Sequence, residues 1–373
     1  MQSEAVVLEE PGELDVRTIG LPDPTETDVV LDVELSGVCG TDVHMYNGGM
    51  DLEFPVVPGH EFAGVIDQLG VQVEEDATGA ELHEGDKITA VPSLGSETAD
   101  WYSRNMPTRS TLVQNRDILG FSSLHQPPNA GGMSEYMVLP ERATIYKLPD
   151  AMDVELGALV EPIAVASHAL ERAYPPGLPH AREGFGIGKS VAVQGAGPIG
   201  LLTLMTAAAA GAKEIIAIDM LDERLELATE FGATTVINMS EYEGEEAYFD
   251  AVRENTPGGV GPDVVVEAAG VPDALRQAIE IVHAGGTVVE AGHYAYNGEV
   301  EINPTTIVQK ELDLCGSLAY SPTQFETAIA LLEQCEDEVP FKELFNHRVG
   351  FDAVEEAYRK QEEGDTYRAT IHP

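Results

Sequence analysis

The sequence predicts two parts of different fold class, a β-rich part followed by an α/β part built on a doubly wound parallel sheet. The chain has 373 residues, more than a single hydrophobic core usually supports, so two domains are expected. Up to residue 156 the apolar residues form short runs that Gly and Pro interrupt. Beyond it, continuous apolar runs alternate with helical stretches, a pattern typical of a parallel sheet covered on both faces.

The β-rich part covers residues 1–156. Strands are predicted in the alternating or β-branched runs "EAVVLEE", "DVVLDVELSG", "AGVIDQLG", "DKITAVPS" and "EYMVLPERATIYKLP". Residues 93–132 are only weakly periodic. Because irregular segments of this length are usually functional or mobile, this region is a candidate for either property.

The α/β part covers residues 157–320. Buried strands are predicted in "SVAVQG", "EIIAID", "TTVINM", "PDVVVEAAG", "GGTVVEAG" and "ELDLCGS", with helical stretches between them. Residues 321–373 are predicted to form helices and a closing strand and to return to the first domain.

The chain is strongly acidic, with 65 Asp and Glu residues against 20 Lys and Arg residues and a formal net charge of −45. Such a surface repels phosphate backbones and anionic lipid, so neither nucleic acid nor a membrane is an expected partner. It suits a protein that works in concentrated salt, where the self-repulsion is screened, and we therefore expect a halophilic host. An ordinary acidic protein is the alternative, because net charge governs solubility rather than fold.

The sequence favours a soluble, cytoplasmic protein. It has no run of eighteen apolar residues, and the N-terminus "MQSEAVVLEEPGELDV" lacks the basic and apolar regions of a signal peptide. Its three cysteines, Cys39, Cys315 and Cys335, are odd in number and scattered, which argues against a disulfide framework. The free thiols therefore need another explanation.

The segment "SVAVQGAGPIGLLTLM" carries a dinucleotide-binding pattern. Gly195, Gly197 and Gly200 form G-x-G-x-x-G between a predicted strand and a predicted helix. Here the glycines permit a tight turn, close approach of a pyrophosphate and close helix packing. Asp219 ends the next predicted strand, where a carboxylate binds the ribose hydroxyls of NAD and repels the extra phosphate of NADP. The alternative is a glycine-rich turn followed by a solvated aspartate.

Potential metal ligands lie in three separate segments. "GVCGTDVH" contains Cys39, "VPGHEFAG" contains His60 and Glu61, and "LVEPIAVASHAL" contains Glu161. Singly, each has an ordinary structural explanation: a buried thiol, a loop histidine, or a carboxylate in the first turn of a helix. Together they supply a thiolate, an imidazole and one or two carboxylates, the ligand types of an open catalytic zinc site. Spacing alone does not show that they converge.

Four motifs together make the chain resemble the zinc-dependent medium-chain alcohol and polyol dehydrogenases: "GVCGTDVH", "PGHEFAGVI", "EPIAVASHAL" and "GAGPIG" occur in that family's order. The resemblance covers nearly the whole length and implies a GroES-like, β-rich catalytic domain and a Rossmann cofactor domain. It implies that Cys39 and His60 bind one catalytic zinc. Either Glu61 or Glu161 supplies the carboxylate, and Asp42 orients His60. The residues implied to bind NAD are Gly195, Gly197, Pro198, Ile199, Gly200, Asp219 and Arg224.

The same resemblance implies a reaction. Hydride passes from a secondary alcohol, polyol or sugar to NAD, while zinc acts as a Lewis acid on the substrate oxygen. Thr41 accepts the alcohol proton and passes it through the nicotinamide ribose to His44 and solvent. Without the family match, Thr41 is better explained as a turn residue and His44 as a surface histidine. The motif "EPIAVASHAL" resembles the branch that acts on polyols, sugars, vicinal diols and threonine, and a homodimer or homotetramer is expected.

The chain departs from many relatives of that family in one region. They carry a structural zinc on a lobe with four closely spaced cysteines, whereas residues 93–132 contain no cysteine, so no structural zinc is expected. Packing around Trp101, Tyr102 and Phe121 is expected to hold the lobe, unless it is mobile. A metal site made of Asp, Glu and His125 is the unusual alternative.

Three functions compete. The favoured one is an NAD- and zinc-dependent alcohol or polyol dehydrogenase. A zinc-free NAD(P)H-dependent reductase of quinones or enones on the same fold needs neither Cys39 nor His60, so the presence of both counts against it. A dinucleotide-binding protein without catalysis is the third. Candidate substrate-pocket residues, for which packing is an equal explanation, are Tyr46, Trp101, Phe121 and His125.

Overall fold

The computed structural model of the chain describes residues 1–94, 101–106, 110–112, 117–125, 130–174 and 184–373. Within these ranges the strands are β1 Gln2–Glu10, β2 Glu13–Gly20, β3 Val29–Gly37, β4 Glu61–Leu69, β5 Lys87–Ala90, β6 Tyr136–Leu139, β7 Ile145–Lys147, β8 Ser190–Gln194, β9 Glu214–Asp219, β10 Thr235–Asn238, β11 Val264–Glu267, β12 Thr287–Glu290, β13 Asp313–Gly316, β14 His347–Val349 and β15 Ala369–Ile371. The α-helices are α1 Gly40–Tyr46, α2 Trp101–Asn105, α3 Val160–Glu171, α4 Pro198–Ala209, α5 Asp222–Glu230, α6 Glu245–Glu254, α7 Pro272–Ile281, α8 Pro304–Lys310, α9 Gln324–Cys335 and α10 Val354–Glu363.

The first of two compact units is β-rich and is made of Met1–Pro162, Ser321–Gln334 and Phe341–Pro373. Its main sheet has the order β14-β15-β3-β4-β5-β7, with β6 paired to β3, and β1 and β2 form a separate antiparallel hairpin. In β3, the exposed Asp32 and Glu34 alternate with buried Leu31, Val33 and Leu35. This alternation places the apolar side chains on one face of the pleated strand, where Leu31 and Val33 join the core cluster.

The C-terminal segment completes this unit. Strand β15 pairs antiparallel with β3, and Thr370 lies opposite Gly37. Helix α10 contributes Tyr358 to a buried cluster that also contains Val43 of α1 and Ile371 of β15. The residues just before β15 are therefore held beside the end of β3, more than three hundred residues away in the sequence.

The second unit is α/β and is made of Ile163–Tyr320 and Cys335–Pro340. Its strands are all parallel, in the order β10-β9-β8-β11-β12-β13. Every residue of β8 and β11 is buried, which explains why the sequence there is continuously apolar rather than alternating. The chain runs outward from β8 in both directions, so a topological switch point, the usual ligand site of such sheets, lies between the carboxyl ends of β8 and β11.

The predicted fold class, β plus α/β, is confirmed, and each run singled out above contains a strand. Two details differ. Strand β2 was not singled out, although Gly12, at a φ of 85°, forms the turn that pairs it with β1. The run "EYMVLPERATIYKLP" holds two strands, β6 and β7, because Pro140 between them cannot donate a ladder hydrogen bond. Among the described helices, none is both long and apolar enough to cross a membrane.

Candidate active site

Three neighbouring strands bring distant segments together at one edge of the β-rich sheet. Strand β3 ends at Gly37, and its antiparallel partner β4 begins at Glu61, directly opposite Gly37. Strand β15 begins just after Arg368 on the other side of β3. Because an antiparallel strand starts where its neighbour ends, Cys39, Glu61 and Arg368 lie at the same edge of the sheet.

The predicted ligands Cys39, His60 and Glu61 form one group. One potential ligand atom from each lies within 4.8 Å of the other two. His60 and Glu61 are buried, and the Oε1 atom of Glu61 has no hydrogen-bond partner among the described residues. A buried carboxylate oxygen without a partner is costly unless a cation or donor satisfies it, and this set of a thiol, an imidazole and a carboxylate fits zinc. The group does not include Glu161, which is buried at the second position of α3.

Asp42 connects two members of this group. It is fully buried in the first turn of α1, and its Oδ2 accepts the backbone N–H of Cys39 at 2.8 Å. Its Oδ1 accepts the N–H of Gly59 at 3.3 Å and lies 3.6 Å from Nδ1 of His60. One carboxylate thus caps the helix that follows Cys39 and faces the ring of His60.

The electrostatics favour loss of the Cys39 proton. Burial by itself raises the pKa of this thiol, but a hydrogen bond and the charge of His60, with a contribution from Arg368, lower it to about 7. For His60, burial acts to lower the pKa, and the carboxylate of Asp42 together with Cys39 raises it well above the ordinary value. The thiolate is the form of cysteine that binds metal, so a lowered pKa favours metal binding by Cys39.

Arg368 is a site residue that the sequence analysis missed. Its guanidinium donates to Oε2 of Glu61 in a buried ion pair, and the arginine itself is only 3% exposed. Burial lowers the pKa of this guanidinium, but arginine remains charged. No local signal could reveal the pairing, because 307 residues separate the two partners.

The proposed proton carriers Thr41 and His44 lie on α1. They are three residues apart, so they share one face of the helix. The hydroxyl of Thr41 is buried and accepts a weak hydrogen bond from Sγ of Cys39 at 3.7 Å. Phe121 also borders the group, with its ring edge-on to that of His60 at a centroid distance of 5.0 Å.

The other pocket candidates are placed differently. Tyr46 packs against Tyr358, with ring centroids 5.6 Å apart, which favours the packing explanation. His125 is exposed, and its backbone N–H bonds to Ser123. Trp101 begins α2, but its side chain lies outside the described part of the structure, as do 95–100, 107–109, 113–116 and 126–129 of the 93–132 region.

The glycine-rich turn has the geometry that a pyrophosphate site requires. Gly195 has a φ of 88°, and a Cβ there would lie 2.8 Å from the backbone of Ala269. A Cβ on Gly200 would lie 1.8 Å from the carbonyl oxygen of Gly195, so α4 can pack this closely only with glycine. A Cβ on Gly197 would meet nothing within 4 Å. The surrounding protein therefore does not demand glycine at position 197, and the space beside this residue is open.

The remaining predicted cofactor residues surround this turn. Pro198 and Ile199 are the first residues of α4 and are partly exposed, and Arg224 is the third residue of α5. Asp219 ends β9, and its Oδ2 accepts the N–H of Ala196 at 2.7 Å. Its Oδ1 accepts two further backbone N–H groups, from residues 220 and 221. The carboxylate is thus fixed against the glycine-rich turn.

Comparison with known proteins identifies the family. Two family models match the chain: the alcohol dehydrogenase GroES-like domain over residues 25–150 and the zinc-binding dehydrogenase over residues 198–334. The D-xylulose reductase of Saccharomyces cerevisiae is 33% identical over 363 residues, which cover 94% of this chain and 92% of that protein. The chain belongs to the zinc-dependent medium-chain alcohol and polyol dehydrogenase family.

Solved structures agree with this assignment. The 2R,3R-butanediol dehydrogenase of Bacillus subtilis matches with a TM-score of 0.82 and 28% identity, covering 100% of this chain and 99% of that chain. A Sinorhizobium meliloti protein described as a zinc-binding dehydrogenase, bound to NADP, matches with a TM-score of 0.85 and 28% identity over 100% of both chains. This medium-chain dehydrogenase is therefore an oxidoreductase with zinc and a nicotinamide dinucleotide as cofactors, and the zinc-free reductase is not favoured.

Proposed function

We propose that the chain is a zinc-dependent dehydrogenase that transfers hydride from a secondary alcohol, polyol or sugar to NAD. The observation that carries the proposal is the group of Cys39, His60 and Glu61, in which a thiol of lowered pKa lies beside an imidazole and a carboxylate. No other function considered for this chain needs these three side chains together. A polyol or vicinal diol is the first substrate class to test, because relatives include a D-xylulose reductase and a butanediol dehydrogenase.

One catalytic zinc per chain is proposed, with Cys39, His60 and Glu61 as its protein ligands. The free, buried Oε1 of Glu61 supports a direct bond from this residue. Glu161, outside the group, contributes through water in this proposal. Three protein ligands leave the fourth position of a tetrahedral ion open for substrate. No structural zinc is proposed for the cysteine-free region 93–132.

Zinc supplies Lewis-acid polarisation of the substrate oxygen, and the nicotinamide supplies the hydride acceptor. The chain's own residues handle the proton and the geometry. The Thr41 hydroxyl accepts the alcohol proton, and His44, on the same helix face and partly exposed, exchanges it with solvent. Asp42 fixes the tautomer and ring orientation of His60 through the Nδ1 side.

The cofactor proposed is NAD rather than NADP. Gly195, Gly197 and Gly200 form the pyrophosphate turn, and Asp219 at its edge accepts the ribose hydroxyls and repels a 2′-phosphate. Pro198, Ile199 and Arg224 complete the proposed contacts. The Sinorhizobium structure is described as bound to NADP, whereas a structure from E. coli with a TM-score of 0.81 is described as complexed with NADH, so the cofactor preference is measured on this chain.

Several further expectations are part of the proposal. The protein acts in the cytoplasm as a homodimer or homotetramer, and it binds a small-molecule alcohol or polyol rather than nucleic acid or a membrane. Its domain limits are 1–156, 157–320 and 321–373, with the last segment belonging to the catalytic domain. The acidic surface reflects a halophilic host.

A matched pair of variants at Thr41 tests the function. With polyols, vicinal diols and sugars as substrates and NADH formation as the readout, Thr41→Ser keeps the hydroxyl and is expected to retain most activity. Thr41→Val keeps the shape but removes the hydroxyl, and kcat is expected to fall by about 10²–10⁴-fold. A chelator is expected to abolish wild-type activity, and added zinc is expected to restore it. Equal activity of the two variants, or activity that survives complete removal of zinc, contradicts the proposal.

A further inference from the structure

A second group of potential ligands lies in the α/β unit, at the carboxyl ends of two adjacent strands. Glu267 is the last residue of β11 and Glu290 is the last residue of β12. The parallel register places these two glutamates directly beside each other. His293 follows three residues after Glu290, and one potential ligand atom from each of the three lies within 4.8 Å of the other two.

The glutamate of β11 is held rigidly. Glu267 is fully buried, and its Oε1 accepts the backbone N–H groups of Ala269 and Gly270, both at 2.8 Å. Its other oxygen, Oε2, lies 3.5 Å from Nδ1 of His293. Oε1 of Glu290 lies 2.9 Å from the same nitrogen. A carboxylate fixed by two backbone donors presents its second oxygen in a defined direction.

Three buried polar atoms of this group lack hydrogen-bond partners among the described residues: Oε2 of Glu267, Oε2 of Glu290 and Nε2 of His293. Glu267 is fully buried and the side chain of Glu290 is 25% exposed. Two carboxylates side by side repel each other, and an unsatisfied buried charge is costly. The backbone also leaves room only for glycine here, since a Cβ on Gly292 would lie 2.3 Å from Oε2 of Glu267. Among the described residues, the side chain that lies between these two acids is His293 rather than a lysine or an arginine.

We propose that Glu267, Glu290 and His293 bind a divalent metal ion, zinc in the first instance, at a site separate from Cys39. Carboxylate oxygen and imidazole nitrogen are both zinc ligands in proteins. A tetrahedral ion with bonds of about 2.0–2.1 Å places neighbouring ligand atoms about 3.3 Å apart. The observed separations of 2.9 and 3.5 Å need only small side-chain shifts to meet that value.

The ligand types also select among metals. Magnesium and calcium prefer sites made entirely of oxygen, so a histidine between two carboxylates favours zinc or another first-row transition ion. The bound ion would join the ends of β11 and β12 and neutralise the acid pair. Glu267 also holds the turn at Ala269, against which Gly195 packs. The ion therefore stabilises the turn that borders the pyrophosphate site, independently of the catalytic zinc.

Either a bound metal ion or a proton shared by the two carboxyl groups would relieve their repulsion. Cobalt binding distinguishes these two explanations. The full-length protein is stripped of metal with a chelator and titrated with Co²⁺. A thiolate-bound cobalt shows a sulfur-to-metal charge-transfer band that an oxygen- and nitrogen-bound cobalt lacks. Wild type is expected to bind two ions, of which one gives this band.

The variants assign the two ions. Cys39→Ala is expected to lose the band and keep one bound Co²⁺, whereas His293→Ala and Glu290→Gln keep the band and lose the other ion. His83→Ala is the matched control, because His83 also lies near two carboxylates, at 3.5 Å from Glu81 and 3.8 Å from Asp86, but is well exposed. If Cys39→Ala binds no cobalt, or if His83→Ala loses an ion while His293→Ala does not, the proposed site is wrong. If the His293 variant does not fold, the double variant Cys39→Ala, His60→Ala decides the matter, because a Co²⁺ ion that it still binds cannot rely on the thiol and imidazole of the first group.

Discussion

Oδ1 of Asp42 lies 3.6 Å from Nδ1 of His60, while the other oxygen of the same carboxylate accepts the N–H of Cys39 at 2.8 Å. One buried side chain therefore sets the positions of two proposed zinc ligands that are twenty-one residues apart. This explains why an acidic residue three positions after Cys39 belongs to the chemistry of the site as well as to the helix cap.

Asp42→Asn is expected to weaken zinc binding without unfolding the protein. The amide has nearly the same shape, but it lacks the negative charge that faces Nδ1 of His60, and its NH2 group replaces one of the two oxygens that accept the N–H groups of Cys39 and Gly59. Loss of such outer contacts typically lowers metal affinity by about 10–100-fold. Competition with a coloured zinc chelator measures the affinity. An unchanged zinc affinity in folded Asp42→Asn protein shows that Asp42 has only a capping role.

Glu61→Gln is expected to destabilise the metal-free protein because the buried guanidinium of Arg368 would lose its ion-pair partner and keep only the weaker influence of Cys39 and Asp42. Breaking one side of a buried ion pair typically costs about 3–5 kcal/mol. Urea unfolding in the presence of a chelator measures the free energy of unfolding. Glu161→Gln, a neutral change of another buried glutamate, is the comparison and is expected to cost less. Equal losses in the two variants contradict the importance of the Glu61–Arg368 pair.

The stability of the α/β unit is expected to depend on pH through Asp263 and His283. Burial raises the pKa of Asp263, but hydrogen bonds from His283, Ser190 and Lys189 outweigh it and hold the pKa well below its ordinary value. Chiefly through its hydrogen bond to Asp263, His283 has a raised pKa. The Asp263 contribution is present above the unfolded pKa of about 3.9 and is lost as the pH falls. The His283 contribution is present below about pH 6.5 and is lost as the pH rises through the folded pKa.

Asp263→Asn tests the direction of this pH dependence. The difference in melting temperature between wild type and the variant is expected to be largest between about pH 4 and pH 6.5 and to shrink on both sides. Differential scanning calorimetry in a series of buffers at fixed salt gives the comparison. A difference that is constant from acid to alkaline pH means that the pair does not titrate as described.

Asp219→Asn is expected to change the cofactor preference toward NADP. Wild type is expected to prefer NAD, because two anionic groups about 4 Å apart near a protein surface repel by roughly 1–4 kcal/mol. The ratio of kcat/KM for NAD to that for NADP should fall by about tenfold or more, since 1.4 kcal/mol corresponds to a factor of ten. The amide has one acceptor oxygen, so it keeps the bond from Ala196 or the bonds from residues 220 and 221, and the melting temperature of the variant is measured beside wild type to detect any loss of the turn. A wild-type enzyme that already prefers NADP overturns the role given to Asp219.

Salt is expected to stabilise the protein strongly. With a net charge of −45, the acidic groups of the folded protein repel one another. Salt shortens the range of this repulsion to about 3 Å at 1 M. Melting temperature and activity should both decline when the protein is dialysed from molar potassium chloride into dilute buffer. Full activity and an unchanged melting temperature in dilute buffer contradict the halophilic interpretation.

The sequence predicted the strands and the glycine-rich turn, because these features depend on residues that are close together in the chain. The parallel strands follow from continuous apolar runs, and the turn at Gly195 follows from the spacing of three glycines after a strand. The ligand candidates Cys39, His60 and Glu61 were identified by residue type and by resemblance to a family, but their proximity depends on the pairing of β3 with β4.

Contacts between residues on different strands depend on the order of the strands in the sheet, which the sequence did not predict. Arg368 meets Glu61 only because β15 returns to the far side of β3. Glu267 and Glu290 each end a correctly predicted strand, yet nothing in the sequence showed that these strands are neighbours with the two acids in register. Two predicted pocket residues, Tyr46 and His125, were chosen only because they are aromatic or amphipathic. No sequence motif indicated where their side chains lie.

The most direct test of the account is the zinc content per chain of wild type, Cys39→Ala and the control Cys315→Ala, purified in high salt and measured by metal mass spectrometry alongside NAD-dependent activity. We expect Cys39→Ala to contain about one zinc fewer per chain than wild type and to be inactive, whereas Cys315→Ala should match wild type in both. A Cys39→Ala protein that keeps the full zinc content and the activity of wild type would contradict the assignment of Cys39, His60 and Glu61 as the catalytic metal site.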